Sequence, residues 1–176
     1  NLTQFGIYGK NHLKFKQWTP LQLSGYQLEY YEDYRDYYYI EHPFLQAWLV
    51  ATSYSIFGVQ EWSTRLPFLL FGLATIPLFW RVSRRLVGER QALIALVFFS
   101  LCPMFGYFSI VTAHQVTTLF FLLSGIYFYL RYLEGRKKTF LWGLYLSQIA
   151  ACLCDWPGYY LTLFLLAHTF LVLKEC

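Results

Sequence analysis

From Gln91 to Leu130 the chain runs for 40 residues without a formal charge. A helix needs roughly 20 apolar residues to cross a bilayer, so this run is read as two consecutive spanning helices. Their break falls between Cys102-Pro103 and His114-Gln115. Similar stretches flank it. Leu66 to Trp80 is uncharged, and Thr139 to Leu173 carries one charge, Asp155, followed by Trp156-Pro157-Gly158. That last stretch reads as a helical hairpin with a polar tip. Hydrophobic types make up 57% of the 176 residues and charged types 14%, against about 45–50% and about 25% in a soluble domain. Such a balance excludes a disordered chain, a collagen or a coiled coil, and a core of this size does not hide that much apolar surface from water. The expected fold is an all-α polytopic membrane protein. It has about five transmembrane helices, near 66–82, 90–110, 114–132, 139–154 and 157–173, which form a bundle over residues 66–176.

The placement of the cations sets the expected topology. Arg81, Arg84, Arg85 and Arg90 fall in one loop, Arg131, Arg136, Lys137 and Lys138 in another, and Lys174 ends the last span. All three sites lie on one side, which the positive-inside rule makes cytoplasmic. The opposite side receives residues 103–115 and 155–158. The cations are not clustered with aromatics on a polar surface, so nucleic acid is not an expected partner.

Residues 1–43 differ from the rest, with eight tyrosines and nine charged side chains. A helix is expected near Thr3–Lys16. Pro43 suits the first turn of a second helix and Gly58 its exit, over Phe44–Val59. This second run is short for a span and contains Gln46, Ser53, Tyr54 and Ser55. If it lies in the interface, residues 1–65 form an external loop with juxtamembrane amphipathic helices. If it crosses, residues 1–43 are cytoplasmic. Cation counting favours the second arrangement; length, internal polarity and the five acids of the segment favour the first, which is the one expected. Both ends read as cuts in a longer membrane protein: the chain starts at Asn1 with no Met or leader and stops at Lys174-Glu175-Cys176. The sequon Asn1-Leu2-Thr3 is read as accidental there.

Reactive side chains gather at the predicted external helix ends: Glu41-His42-Pro43, His114-Gln115 and Asp155-Trp156. Ionisable groups at membrane depth are costly, which makes them site candidates by default. The bland alternatives are interfacial solvation for Asp155 and helix capping for His42. His168, among Leu and Phe, is expected to pack rather than to bind a ligand, and His12 to be exposed. Cys102, Cys152, Cys154 and Cys176 have no redox spacing and read as small hydrophobes. No spacing characteristic of a metal site joins the histidines, no cofactor is indicated, and a divalent metal has no support. Walker, GxGxxG and GxSxG motifs are absent from the sequence.

Three stretches carry a family resemblance. They are Tyr39-Ile40-Glu41-His42-Pro43-Phe44-Leu45, then Phe57-Gly58-Val59-Gln60-Glu61-Trp62-Ser63-Thr64-Arg65-Leu66-Pro67, then Phe71-Gly72-Leu73. Their order and spacing resemble the polytopic GT-C glycosyltransferases, in particular the dolichyl-phosphate-mannose protein mannosyltransferase and aminoarabinose (lipid A) transferase superfamily. The usual pattern there is a His-Pro-Pro-Leu-like helix start followed by Phe-Gly-Val-x-Glu-Trp-x-x-Arg-Leu-Pro. The resemblance continues through Arg84-Arg85-Leu86, Pro103-Met104 and Asp155-Trp156-Pro157-Gly158. It implies a multi-pass enzyme of a bacterial or archaeal cell membrane, with the Phe44–Val59 helix lying on the external face. Such enzymes move a sugar from a polyprenyl-phosphate lipid to an acceptor lipid, glycan or protein.

By the same resemblance, His42 stands where relatives place His or Lys before Pro, suited to the donor phosphate. Lys10-Asn11 matches an Arg-Asn-like pair with the same suggested role. His114, Gln115, Asp155 and Trp156 are candidates at external helix ends; Asp155-Trp156-Pro157-Gly158 occupies a loop where relatives often carry Lys-Gly-Pro. Two positions depart from the pattern. The first-loop acid falls at Asn1 or just upstream, and asparagine is no general base. Gln115 stands where many relatives carry an acid. These departures define the competing reading, a non-catalytic, degenerate membrane subunit that binds lipid or partner proteins.

Overall fold

The structure, a computed structural model, describes residues 4–16, 22–23, 38–39 and 42–174. Among the described residues it is helical, apart from one two-residue antiparallel pair. The helices are α1 (Gln4–Phe15), α2 (Leu45–Phe57), α3 (Glu61–Val87), α4 (Glu89–Leu101), α5 (Pro103–Ile110), α6 (His114–Gly135), α7 (Lys138–Cys154) and α8 (Pro157–Lys174). The strands β1 (Gln22–Leu23) and β2 (Tyr38–Tyr39) pair Gln22 with Tyr39 and Leu23 with Tyr38. Asn1, Glu41 and Cys176 lie outside the described residues.

The helix boundaries follow from local chemistry. Gly58 closes α2 with φ +79°, and its N–H donates to the Tyr54 carbonyl at 2.9 Å. Ser63 starts α3 by accepting the Gln60 backbone N–H on its Oγ at 3.1 Å. The polar stretch 60–65, the end of the external loop expected over residues 1–65, is therefore the cap and first turn of α3. Gly88, at φ +86°, allows the tight passage into α4. The expected straight span over 90–110 is instead two helices, α4 and α5, bent by 58°. Pro103 is the cause: it supplies no N–H and holds Cys102 in an extended conformation.

An all-α membrane protein accounts for this architecture. Helices α3 and α6 are each long and apolar enough to cross a membrane, and the bent α4–α5 pair makes a third if it is one span. Of the five spans expected, those near 139–154 and 157–173 fall on α7, of 17 residues, and α8, of 18, which are not among the two or three described segments long and apolar enough to cross. Helix α2 has 13 residues, a length of about 20 Å, well short of a hydrocarbon core. Apolar side chains face outward, Phe98 and Leu101 each 74% exposed. Gln46, Thr75, Thr117 and Ser63 are fully buried. Small and polar residues at helix contacts with large apolar ones outside is the pattern that lipid solvent permits.

Three apolar clusters hold the bundle. Phe5, Tyr8, Val50, Tyr54, Phe68 and Val116 join α1, α2, α3 and α6. Leu78, Val82 and Leu123 join α3 to α6, and Tyr129, Leu144 and Leu165 join α6, α7 and α8. Polar contacts fix the register between them. Ser53 Oγ donates to the Ser63 carbonyl at 2.6 Å, and Tyr54 Oη lies 2.5 Å from Thr64 Oγ1, locking α2 to the start of α3. His168 packs as the sequence leads one to expect, its Nδ1 2.6 Å from Tyr129 Oη. His12, expected to be exposed, is buried at 2% because α1 folds its face against α2.

The two ends of the bundle differ in charge. At one end Arg85 Nε lies 3.3 Å from Glu134 Oε1, and Arg131 Nη1 lies 3.2 Å from Glu134 Oε2. Arg85, Arg131, Arg84 and Arg136 also cover the faces of Tyr127, Phe140, Trp80 and Tyr132. At the other end α6 begins, α7 finishes and α2 sets off.

Candidate functional site

That second end carries the site. Asp155 follows the last residue of α7, and its N–H still donates to the Ala151 carbonyl at 3.1 Å. Its Oδ1 accepts the Trp156 backbone N–H at 2.8 Å, which aims the carboxylate back over the helix end. Pro157 then opens α8, and Gly158 lets α8 return in contact with α7. A side chain at 158 would meet the backbone of Ala151 and Cys152.

Two imidazoles converge on this carboxylate. His42 Nδ1 lies 3.3 Å from Asp155 Oδ1, and His114 Nε2 lies 3.3 Å from Asp155 Oδ2. The rings stack on each other with centroids 4.8 Å apart and planes at 29°. Phe5 of α1 meets His114 edge-on at 6.4 Å. The carboxylate is 12% exposed, and the imidazoles 29% and 21%. His42 comes from the lead into α2, His114 from the first position of α6 and Asp155 from the end of α7. Three distant segments thus place one acid between two bases, in a half-buried setting where charge pairing is stronger than in water.

The remaining candidates are spread more widely. Gln115 follows His114, but one residue turns a helix by about 100°, and its side chain is exposed. It edges an apolar cleft of about 220 Å³ lined by Phe99, Cys102, Phe105 and Leu119. Trp156 contributes its N–H to Asp155, while its ring is 54% exposed beside Tyr159. Lys10 is exposed and forms no ion pair among the described residues, and Asn11 is buried. They stand five and six residues beyond Phe5 on α1, about 7.5–9 Å along the axis. Among the described residues no group of three or more His, Cys, Asp or Glu is arranged to hold a metal ion.

The structure adds residues that sequence reasoning passed over. Gln46 is fully buried; its Nε2 donates to the Cys154 carbonyl at 3.1 Å and to Thr117 Oγ1 at 3.3 Å. Thr117 and Thr118 both donate to the His114 carbonyl, at 2.9 and 2.7 Å. The available signal was a lone amide in an otherwise apolar helix turn, one turn after His42. A second apolar cleft, of about 320 Å³, lies between α2 and α3, lined by Leu49, Ile56, Phe57, Leu66, Leu70 and Phe71 among others.

Comparison with known proteins adds to this geometry. The family model described as dolichyl-phosphate-mannose-protein mannosyltransferase matches residues 41–175. The chain is also 27% identical over 120 residues to an uncharacterized protein of Aquifex aeolicus (strain VF5). That alignment covers 68% of this chain and 24% of the relative, so the chain spans about a quarter of the length of the curated relative it matches. No solved structure matches.

Proposed function

The chain belongs to the dolichyl-phosphate-mannose-protein mannosyltransferase family, and from that premise we propose that it is the membrane-embedded part of a GT-C glycosyltransferase. The reaction moves a sugar from a polyprenyl-phosphate lipid to an acceptor at the external face of a bacterial or archaeal cell membrane. The observation that carries this reading is the convergence of His42 and His114 on Asp155 at the end of the bundle opposite the arginines.

In the transfer, an acceptor hydroxyl oxygen attacks the anomeric carbon. The bond from that carbon to the phosphate oxygen breaks, and polyprenyl phosphate leaves with the electron pair. Charge builds on the phosphate, so preorganised donors at that point lower the barrier. His42, in its protonated form, supplies such a donor, since imidazolium-to-phosphate hydrogen bonds are among the strong ones. Asp155 faces both imidazoles and orients the stacked rings. The family pattern assigns the acceptor proton to a first-loop acid; Asn1, an amide, does not serve as that base. The apolar cleft between α2 and α3 suits the prenyl chain.

Purified full-length protein in lipid vesicles, given labelled polyprenyl-phosphate sugar, tests this. Transfer by the parent protein and its loss in His42→Ala are expected. Undiminished transfer by His42→Ala removes the imidazole from the site, and donor binding without transfer by the parent protein favours the degenerate subunit.

A further inference from the structure

Beneath the carboxylate lies a polar group that the transfer chemistry does not use. Gln46 sits one turn along from His42, on the buried face of α2. Its amide nitrogen donates to the carbonyl of Cys154, the residue before Asp155. The same nitrogen donates to Thr117 Oγ1, whose hydroxyl donates to the carbonyl of His114. One side chain on α2 thus reaches the ends of α6 and α7 that present His114 and Asp155.

Two physical points give this amide its importance. The Cys154 carbonyl is among the last of α7 and has no partner within the helix. Gln46 satisfies it in a fully buried position, where an unmet carbonyl is costly. Apolar helix contacts between lipid-solvated helices resist sliding only weakly, whereas hydrogen bonds are directional and set register.

We propose that Gln46 is the positioning residue of this site, setting the separation of His42 and His114 about Asp155. The geometric claim stands on the hydrogen bonds alone; its consequence for turnover rests on the glycosyltransferase reading above.

The test uses full-length protein labelled with ¹⁵N-histidine, with imidazole signals assigned through His42→Gln and His114→Gln variants. Asp155→Asn first calibrates the shift of each ring on losing its carboxylate. Gln46→Met keeps the volume and removes both hydrogen bonds. It is expected to move the His42 and His114 signals, leave His168 in place, and lower kcat by about 10- to 100-fold, the loss that a misplacement on the order of 1 Å brings. Unmoved His42 and His114 signals in a folded Gln46→Met protein overturn the proposal. Should that variant not fold, Gln46→Asn, which keeps the amide but draws it back by one methylene from Cys154 and Thr117, is expected to move both signals; no movement overturns the proposal equally. Shifts in a parent protein that transfers no sugar would sink the glycosyltransferase reading and leave the positioning role standing.

Discussion

The imidazoles of His42 and His114 stack with centroids 4.8 Å apart, and each faces a different oxygen of the same carboxylate, that of Asp155. Two potential cations this close are tolerated because one anion lies against both. The arrangement links the entry of α2, the start of α6 and the end of α7 at the end of the described bundle opposite the Arg85–Glu134–Arg131 cluster.

Replacing that anion isolates its role. Asp155→Asn keeps an oxygen for the Trp156 N–H but removes the charge between the rings. Sugar transfer in vesicles is expected to fall by at least about tenfold, as loss of a charged hydrogen-bond partner worth about 1.5–3 kcal/mol brings. The melting temperature is expected to fall as well, because the same pairing joins the end of α7 to α6 and to the entry of α2. A fall in melting temperature with full transfer retained would assign Asp155 to structure instead.

Gly158 permits the hairpin that carries Asp155. A methyl-bearing residue there meets backbone of Ala151 and Cys152, which does not yield as a flexible side chain does. Gly158→Val is expected to destabilise the protein by about 1–3 kcal/mol, the usual cost of overpacking. Thermal unfolding followed by circular dichroism reads this, and an unchanged midpoint would mean that α8 moves away from α7 without cost.

The Arg85–Glu134 pair sits at the far end, with Glu134 half-exposed at 49%. Glu134→Gln is expected to cost less than about 1 kcal/mol, because screened pairs of this kind contribute little. Transfer is expected to remain at the parent level. A large loss of transfer would place the arginine end within the reaction.

Sidedness is open to chemical labelling. A cysteine at Glu61, in the first turn of α3 and 70% exposed in its side chain, is expected to react with an impermeant thiol reagent added outside intact cells. A cysteine at Arg90 is expected to react only after lysis. The parent protein, with exposed Cys102, serves as the control. The reverse pattern would turn the protein over in the membrane.

Much of the fold was legible because its signals are local. The uncharged runs, the cation clusters and Pro43, Gly58 and Pro157 mark helices within a few residues of where they stand. The bend at Pro103 was visible as a break but not as a 58° turn inside one apolar run, because hydropathy is unchanged across it. His42, His114 and Asp155 were each legible as polar groups at helix ends, and the shared end followed from counting spans. Gln46 was not legible as part of the site: a glutamine in a short helix has the same sequence signature whether it faces headgroups or a buried carbonyl. Gln115, from the same dipeptide as His114, turned out to edge a different cleft, since adjacent residues of a helix point in different directions.

From the residues alone come the lipid-solvated character of the chain, the helical elements and the gathering of Arg81, Arg84, Arg85, Arg131 and Arg136 away from the His/Asp end. These depend on transfer free energy and backbone chemistry, which act residue by residue. Only the packed structure decided that two imidazoles share one carboxylate, and that an amide from α2 ties down the helix ends presenting them. Such contacts join segments far apart in the chain, and their distances depend on helix azimuth and register, which no local pattern encodes.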